Sequence, residues 1–197
     1  MNNPNTKLED LIHVEQGIIP SDICDSIVKE IEVGEWVSHM WYNKNTDSSF
    51  SNETRELDMQ ASTLELHQKV ESFIGESGTR YNKKYAYQHP SCVERTGQTI
   101  TQFTSVRFNR YTPGQIMRQH HDHIHSIFDG QYKGIPVLSF ILNFNDDYEG
   151  ADLFFWEDTV VPLGKGDIVM FPSCFLFPHG VTETTKGKRY SAVCWGW

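Results

Sequence analysis

The chain has 197 residues, 38% hydrophobic and 13% aromatic, which suits a single domain with a real core. Its net charge of −9 argues against a broad phosphate-binding surface and makes nucleic acid an unlikely partner. No run approaches the ~20 apolar residues of a membrane span, and no basic segment leads into an apolar one at the start.

Cys24, Cys92, Cys174 and Cys194 are scattered without a Cys-x-x-Cys pair, so separate thiols in a reducing, cytoplasmic compartment are expected. Met1 to Thr6 reads as a loose tail, and Leu11 to Val14 as a short strand. Pro20-Ser21-Asp22 predicts a helix start with Ser21 as N-cap, and Ile23, Ile27 and Ile31 give it one apolar face up to Gly34. Regular periodicity fails from Glu35 to Gln60, where Asn43 to Ser49 has loop composition. Ser62-Thr63-Leu64-Glu65 matches a capping box, and Leu66, Val70, Phe73 and Ile74 continue a second helix that ends at Gly75–Gly78 or runs on to Tyr85. Gln88 to Gly97 reads as a connection.

After Gly97 short Val-, Ile-, Phe- and Thr-rich runs alternate with Gly, Pro and Asp turns. Strands are expected within 105–111, 137–144, 153–156, 160–162, 167–171 and 190–195. Helices followed by many short strands indicate an α+β fold built on a barrel or jelly roll. The expected layout is one domain over 1–197, with 1–96 mainly helical or loop and 97–197 as the β core.

Within that β core, His120-His121-Asp122 places His120 and Asp122 on one face of an extended segment and His121 on the other. A second imidazole, His179, follows the 167–171 strand. Two imidazoles and one carboxylate on one side of a metal form the facial triad of non-heme Fe(II) oxygenases. His-x-Asp alone is common by chance, and His121, His123 and His125 read as supporting or surface residues. Arg189 and Ser191 share a face of the last strand, where guanidinium and hydroxyl could grip one carboxylate. Tyr111 ends a strand whose inward set includes Asn109 and Arg107, and its phenol could donate to a ligand carboxylate or serve as a buried structural tyrosine.

These segments together resemble the 2-oxoglutarate/Fe(II)-dependent dioxygenases of prolyl 4-hydroxylase type. The resemblance rests on Arg110-Tyr111-x-Pro113-Gly114, then His120-x-Asp122, then Pro162-x-Gly164-x-Gly166-Asp167-Ile168-Val169-Met170-Phe171-Pro172 leading to His179-Gly180-Val181. Gly187 to Trp195 completes it, and roughly the last hundred residues are covered. It implies a double-stranded β-helix (jelly-roll, cupin-like) with N-terminal helices packed on the major sheet. It implies His120, Asp122 and His179 as iron ligands and as the catalytic centre. Arg189 would hold the distal carboxylate of 2-oxoglutarate, with Ser191 and Tyr111 in support and Trp195 packing.

The implied cofactors are Fe(II), 2-oxoglutarate and O2, with ascorbate as an optional accessory. A peptide or protein with a prolyl residue is the implied substrate. Asp122 favours hydroxylation, because halogenating relatives leave that ligand position empty. The family's Gly-Gly-Glu-Thr stretch is here Gly150-Ala151-Asp152-Leu153, its distal-carboxylate Tyr or Thr becomes Ile141 or an apolar neighbour, and Met117 replaces an aromatic before the first ligand. Two other readings stay open: a cupin-like metal-binding or sensing protein without turnover, and an oxygenase acting on a non-prolyl substrate such as a nucleic-acid base.

Overall fold

Period-two alternation makes each strand of the C-terminal half two-faced, and the fold uses both faces. The computed structural model describes residues 7–43, 46, 48–50, 55–85, 100, 102–122 and 136–197. Among these, the strands are β1 (His13–Glu15), β2 (Val37–Ser38), β3 (Trp41–Asn43), β4 (Ser48–Phe50), β5 (Asp58–Ala61), β6 (Arg107–Tyr111), β7 (Met117–His120) and β8 (Leu138–Asn143). They continue with β9 (Glu149–Gly150), β10 (Leu153–Phe155), β11 (Thr159–Val161), β12 (Ile168–Pro172), β13 (His179–Val181), β14 (Thr184–Lys186) and β15 (Arg189–Gly196). The α-helices are α1 (Ser21–Glu32) and α2 (Leu64–Tyr85). None of the described helices is long and apolar enough to cross a membrane.

A seven-stranded sheet runs β1-β12-β8-β15-β6-β5-β2, and a four-stranded sheet runs β11-β10-β13-β7. Tyr111, Ile141, Val169 and Phe171 of the larger sheet meet Met117, Leu153, Phe155 and Val181 of the smaller one in a shared apolar layer. The opposite face of the larger sheet carries Phe108, Phe140, Leu142, Met170 and Cys194, and both helices pack there. α1 contributes Cys24, Ile27 and Ile31, and α2 contributes Leu66, Val70, Ile74 and Tyr81. Two antiparallel sheets with helices on the larger one make the expected double-stranded β-helix.

Several local expectations shift. Ser21 is the first residue of α1 rather than its N-cap: Pro20 takes that place and its carbonyl accepts from the Cys24 N–H at 3.0 Å, with no side-chain cap. The cap of α2 also falls one residue later than the capping box suggests. Thr63 Oγ1 accepts from the Leu66 N–H at 3.2 Å, while Ser62 donates to the Thr63 carbonyl. α2 runs through Gly75 and Gly78 to Tyr85. A Cβ on Gly78 would stand 3.2 Å from the Phe140 ring and 3.4 Å from Phe103, so glycine lets the helix approach the sheet closely.

The aperiodic 35–60 stretch supplies β2 and β5 to the larger sheet, with β5 paired to β6. The described part of the expected loop forms a hairpin, β3 with β4. Local pattern missed these strands because pairing, rather than alternation, defines them. Cys24 and Cys194 are buried and Cys174 partly so, all as free thiols. Met1 to Thr6, the Gln88 to Gly97 connection, Cys92, His123 and His125 lie outside the described residues.

Phe140 is fully buried between β8 and α2. Phe140→Ala is expected to lower unfolding stability by about 3–5 kcal/mol through lost burial plus a cavity. A denaturant-midpoint shift worth less than about 1 kcal/mol would show that the helices do not rest on this ring.

Candidate active site

β7 and β13 are antiparallel neighbours, and their register sets His120 directly opposite His179. The two rings stand 4.5 Å apart between centroids. Each Nδ1 lies against a backbone carbonyl: Arg118 O at 2.9 Å for His120 and Phe177 O at 3.0 Å for His179. A carbonyl only accepts, so Nδ1 carries the proton in each ring and the Nε2 lone pair is free. Both Nε2 atoms face Asp122, whose Oδ1 is 3.9 Å from that of His120 and 4.0 Å from that of His179. The ligand atoms all lie within 4.8 Å of one another. Two imidazole nitrogens and a carboxylate oxygen, with each ring oriented through its second nitrogen, are a donor set suited to a first-row metal. His121 is exposed and is not part of this cluster.

Phe171 and Phe155 pack on His179 at 4.7 and 5.6 Å, and Trp41 meets His120 edge-on at 5.6 Å. Burial, with the neighbouring His179, pushes the His120 pKa down to about 4, so its ring is neutral near pH 7. Burial alone would raise the Asp122 carboxyl. His179, His120 and the hydrogen bonds offered to it outweigh that, and its pKa is lowered. Ser139 donates to Asp122 Oδ2 and lies 2.6 Å from the Ser173 hydroxyl. The buried Trp195 indole N–H pulls in the same direction without making a full hydrogen bond.

The second half of the site lies deeper. Arg189 sits opposite Tyr111, while Ser191 sits opposite both Asn109 and Asn143. Alternation turns Arg189, Ser191, Val193 and Trp195 toward the space between the sheets. Arg189 is 1% exposed, yet no carboxylate of the described residues pairs with it. Its Nε donates to Asn143 Oδ1 and its Nη1 to the Ala151 carbonyl, both at 2.9 Å. The guanidinium carbon lies 5.6 Å from the Tyr111 ring centroid and 6.0 Å from that of Tyr148. A buried guanidinium held by neutral partners is costly unless an anion arrives to neutralise it. Burial raises the Tyr111 pKa to about 12, so its phenol stays protonated and able to donate.

All six residues singled out in the sequence therefore occupy the space between the sheets. Sequence reasoning missed Ser139, Ser173 and the part played by Asn143. A signal existed in β8, where Ser139 and Asn143 are polar in an otherwise apolar, fully buried strand. Trp195, expected to pack, instead lines the site beside Asp122.

Residues 106–197 match the model of the 2OG-Fe(II) oxygenase superfamily. The chain is similar to a PKHD-type hydroxylase of Idiomarina loihiensis, at 34% identity over 100 residues that cover 48% of this chain and 42% of that protein. It is also similar to prolyl 4-hydroxylase 1 of Arabidopsis thaliana, at 27% identity over 46% of this chain and 39% of that protein. The matched stretches thus span about two fifths of these relatives.

Among solved structures, the fold is like the viral collagen prolyl hydroxylase of Paramecium bursaria Chlorella virus-1, with 15% identity, TM-score 0.63 and 94% coverage of both chains. It is also like the Trichoplax adhaerens prolyl hydroxylase, with 14% identity, TM-score 0.66 and coverage of 95% of this chain and 83% of that one. Residues 106–197 thus carry the match to the 2OG-Fe(II) oxygenase superfamily, and the curated relatives and solved structures the chain is similar to include prolyl hydroxylases.

His39 lies on the Trp41 side of the site, with ring centroids 4.9 Å apart, and its Nδ1 is buried without a partner. Burial, then the charges of Arg107, His120 and Arg118, lower its pKa to about 4 from 6.5. The folded state therefore binds fewer protons than the unfolded one between those values, and the contribution of His39 to stability falls as pH drops from about 6.5 to 4. His39→Phe, which keeps a ring against Trp41, is expected to flatten the decline in melting temperature across that window. Parallel pH profiles for both proteins would show that His39 does not contribute.

Proposed function

We propose that this chain is a 2-oxoglutarate- and Fe(II)-dependent dioxygenase that hydroxylates a prolyl residue of a peptide or protein, within one domain over 1–197. The observation that carries this reading is the pairing of two half-sites between the same two sheets, bridged by Tyr111, which lines the cavity of the metal ligands and stands opposite Arg189. One is a His120/Asp122/His179 cluster with free ligand atoms, and the other is a buried Arg189 that lacks a carboxylate among the described residues. The likeness to prolyl hydroxylases supports the prolyl substrate. The free thiols fit a cytoplasmic setting, and ascorbate fits as a reductant that keeps iron ferrous.

Iron and 2-oxoglutarate, when bound, would supply the oxidative decarboxylation to succinate and CO2 that lets O2 hydroxylate an unactivated C–H bond. His120, His179 and Asp122 would hold the metal. The backbone carbonyls behind both imidazoles hold their Nε2 atoms in position before the metal arrives. Arg189 would fix the distal carboxylate, with Tyr111 and Ser191 donating to it. The Phe155 and Phe171 rings keep water from the His179 side. A metal-binding protein without turnover would leave the isolated charge of Arg189 unexplained.

Removal of the guanidinium should forfeit charge-assisted hydrogen bonds worth ~1.5–3 kcal/mol each. Arg189→Met is expected to raise the apparent KM for 2-oxoglutarate about tenfold or more with the fold retained. An unchanged KM would transfer the anchor elsewhere. The reaction itself is tested by incubating the iron-loaded protein with 2-oxoglutarate, O2 and prolyl peptides. Succinate formation with a peptide gain of about 16 Da supports the reading. No O2-dependent succinate would contradict it.

A further inference from the structure

Arg107 lines the cavity that holds His120, Asp122 and His179, and neither half-site uses it. On β6 it shares the inward face with Asn109 and Tyr111, and it stands opposite Val193 of β15. Along β15, the Arg189–Tyr111 rung is the deep end, and Trp195 pairs with Ser139, the residue that donates to Asp122. Arg107 is four residues from Tyr111, about 13 Å along the strand, toward the metal ligands. Its guanidinium carbon lies over the Trp195 ring at 5.6 Å from the centroid. Each guanidinium thus has its own region: Arg189 beside Tyr111 and Tyr148, and Arg107 beside Trp195 and the ligand carboxylate.

The polar atoms around Arg107 are not satisfied from within. Its Nε is buried without a hydrogen-bond partner, and so are Asn109 Oδ1 and Trp195 Nε1. No carboxylate of the described residues forms an ion pair with Arg107, although it lies in the field of Asp122. Buried unpaired groups are costly and mark places where a ligand completes the set. Asp122 Oδ2 already accepts from Ser139, and Oδ1 stands in the ligand cluster, 3.9 and 4.0 Å from the two Nε2 atoms. The Trp195 ring holds the guanidinium by a cation–π contact and leaves its planar fork free for a carboxylate.

The Arg189 half-site would take the distal carboxylate of the cosubstrate and the metal site its C1 carboxylate, which leaves the acceptor substrate as the source of an anion for Arg107. We propose that Arg107 is a specificity-determining residue that binds a carboxylate of the acceptor substrate beside the oxidised C–H bond. This rests on the oxygenase reading and narrows its substrate class to acidic acceptors. The carboxylate is either an Asp or Glu side chain flanking the proline or a free C-terminus next to it.

The test uses the whole protein, loaded with Mn(II) and 2-oxoglutarate under anaerobic conditions, and peptide affinities read by fluorescence anisotropy. One pair of amidated peptides carries Glu or Gln beside the proline. A second, Gln-bearing pair ends in a free acid or an amide. Arg107→Gln and Arg107→Lys are measured in parallel, with 2-oxoglutarate affinity followed by calorimetry.

The wild type is expected to bind the acidic member of at least one pair about tenfold more tightly, and the responding pair identifies the source of the carboxylate. Arg107→Gln should erase that preference and Arg107→Lys keep only part of it, with 2-oxoglutarate affinity changed by no more than about twofold. Equal binding within both pairs, or a preference that survives Arg107→Gln, overturns the proposal. So does a loss of 2-oxoglutarate affinity with discrimination intact, which would give Arg107 to the cosubstrate. Failure of the oxygenase reading registers separately, as absent 2-oxoglutarate binding by the metal-loaded wild type.

Discussion

The backbone pairing of β7 with β13 is the constraint on which the site depends. It brings two imidazoles, 59 positions apart in sequence, onto one cross-strand pair, His120 opposite His179. The carbonyls of Arg118 and Phe177 then fix both tautomers, so the ligand nitrogens are aimed before any metal binds. Asp122 follows just beyond the end of β7 and completes the set, steadied by Ser139 from the opposite sheet. A one-residue slip in this pairing would turn His179 away from the cavity, because side chains alternate along a strand.

The larger sheet does different work on its two faces. Its outer face is apolar and rests on α1 and α2, so the strands are held rigid from behind. Its inner face places polar groups in ordered rungs: Arg189 with Tyr111, Ser191 with Asn109 and Asn143, and Trp195 with Ser139. A deep cation, a cluster of candidate metal ligands and a second cation near it follow from this alternation on a few antiparallel strands. Rigid strands hold such groups more accurately than loops would.

Much of this was legible in the sequence, for identifiable physical reasons. Period-two alternation alone placed Arg189 and Ser191 on one face and suggested His120 and Asp122 as partners. The 3.6-residue periodicity found both helices. The cap of α2 was misplaced by one residue because Ser62 and Thr63 are chemically equivalent caps, and only the geometry of the Leu66 N–H selects Thr63. β5 was invisible because a short mixed strand is defined by its partner β6, which lies some fifty residues away.

Arg107 and Trp195 were visible as residues but not as site members. Their significance lies in missing hydrogen bonds, which have no sequence pattern. The resemblance to prolyl hydroxylases supplied the ligand roles that spacing could not, while the changes at Met117, Ile141 and 150–153 mark where this chain departs from that pattern.

The most direct test of the two-part site is a crystal structure of the protein grown without oxygen in the presence of Fe(II) and 2-oxoglutarate. The account predicts a metal on the Nε2 atoms of His120 and His179 and on Asp122, with the distal carboxylate of 2-oxoglutarate on the Arg189 guanidinium. A metal that leaves any of those three residues unligated, or a carboxylate that avoids Arg189, would contradict it.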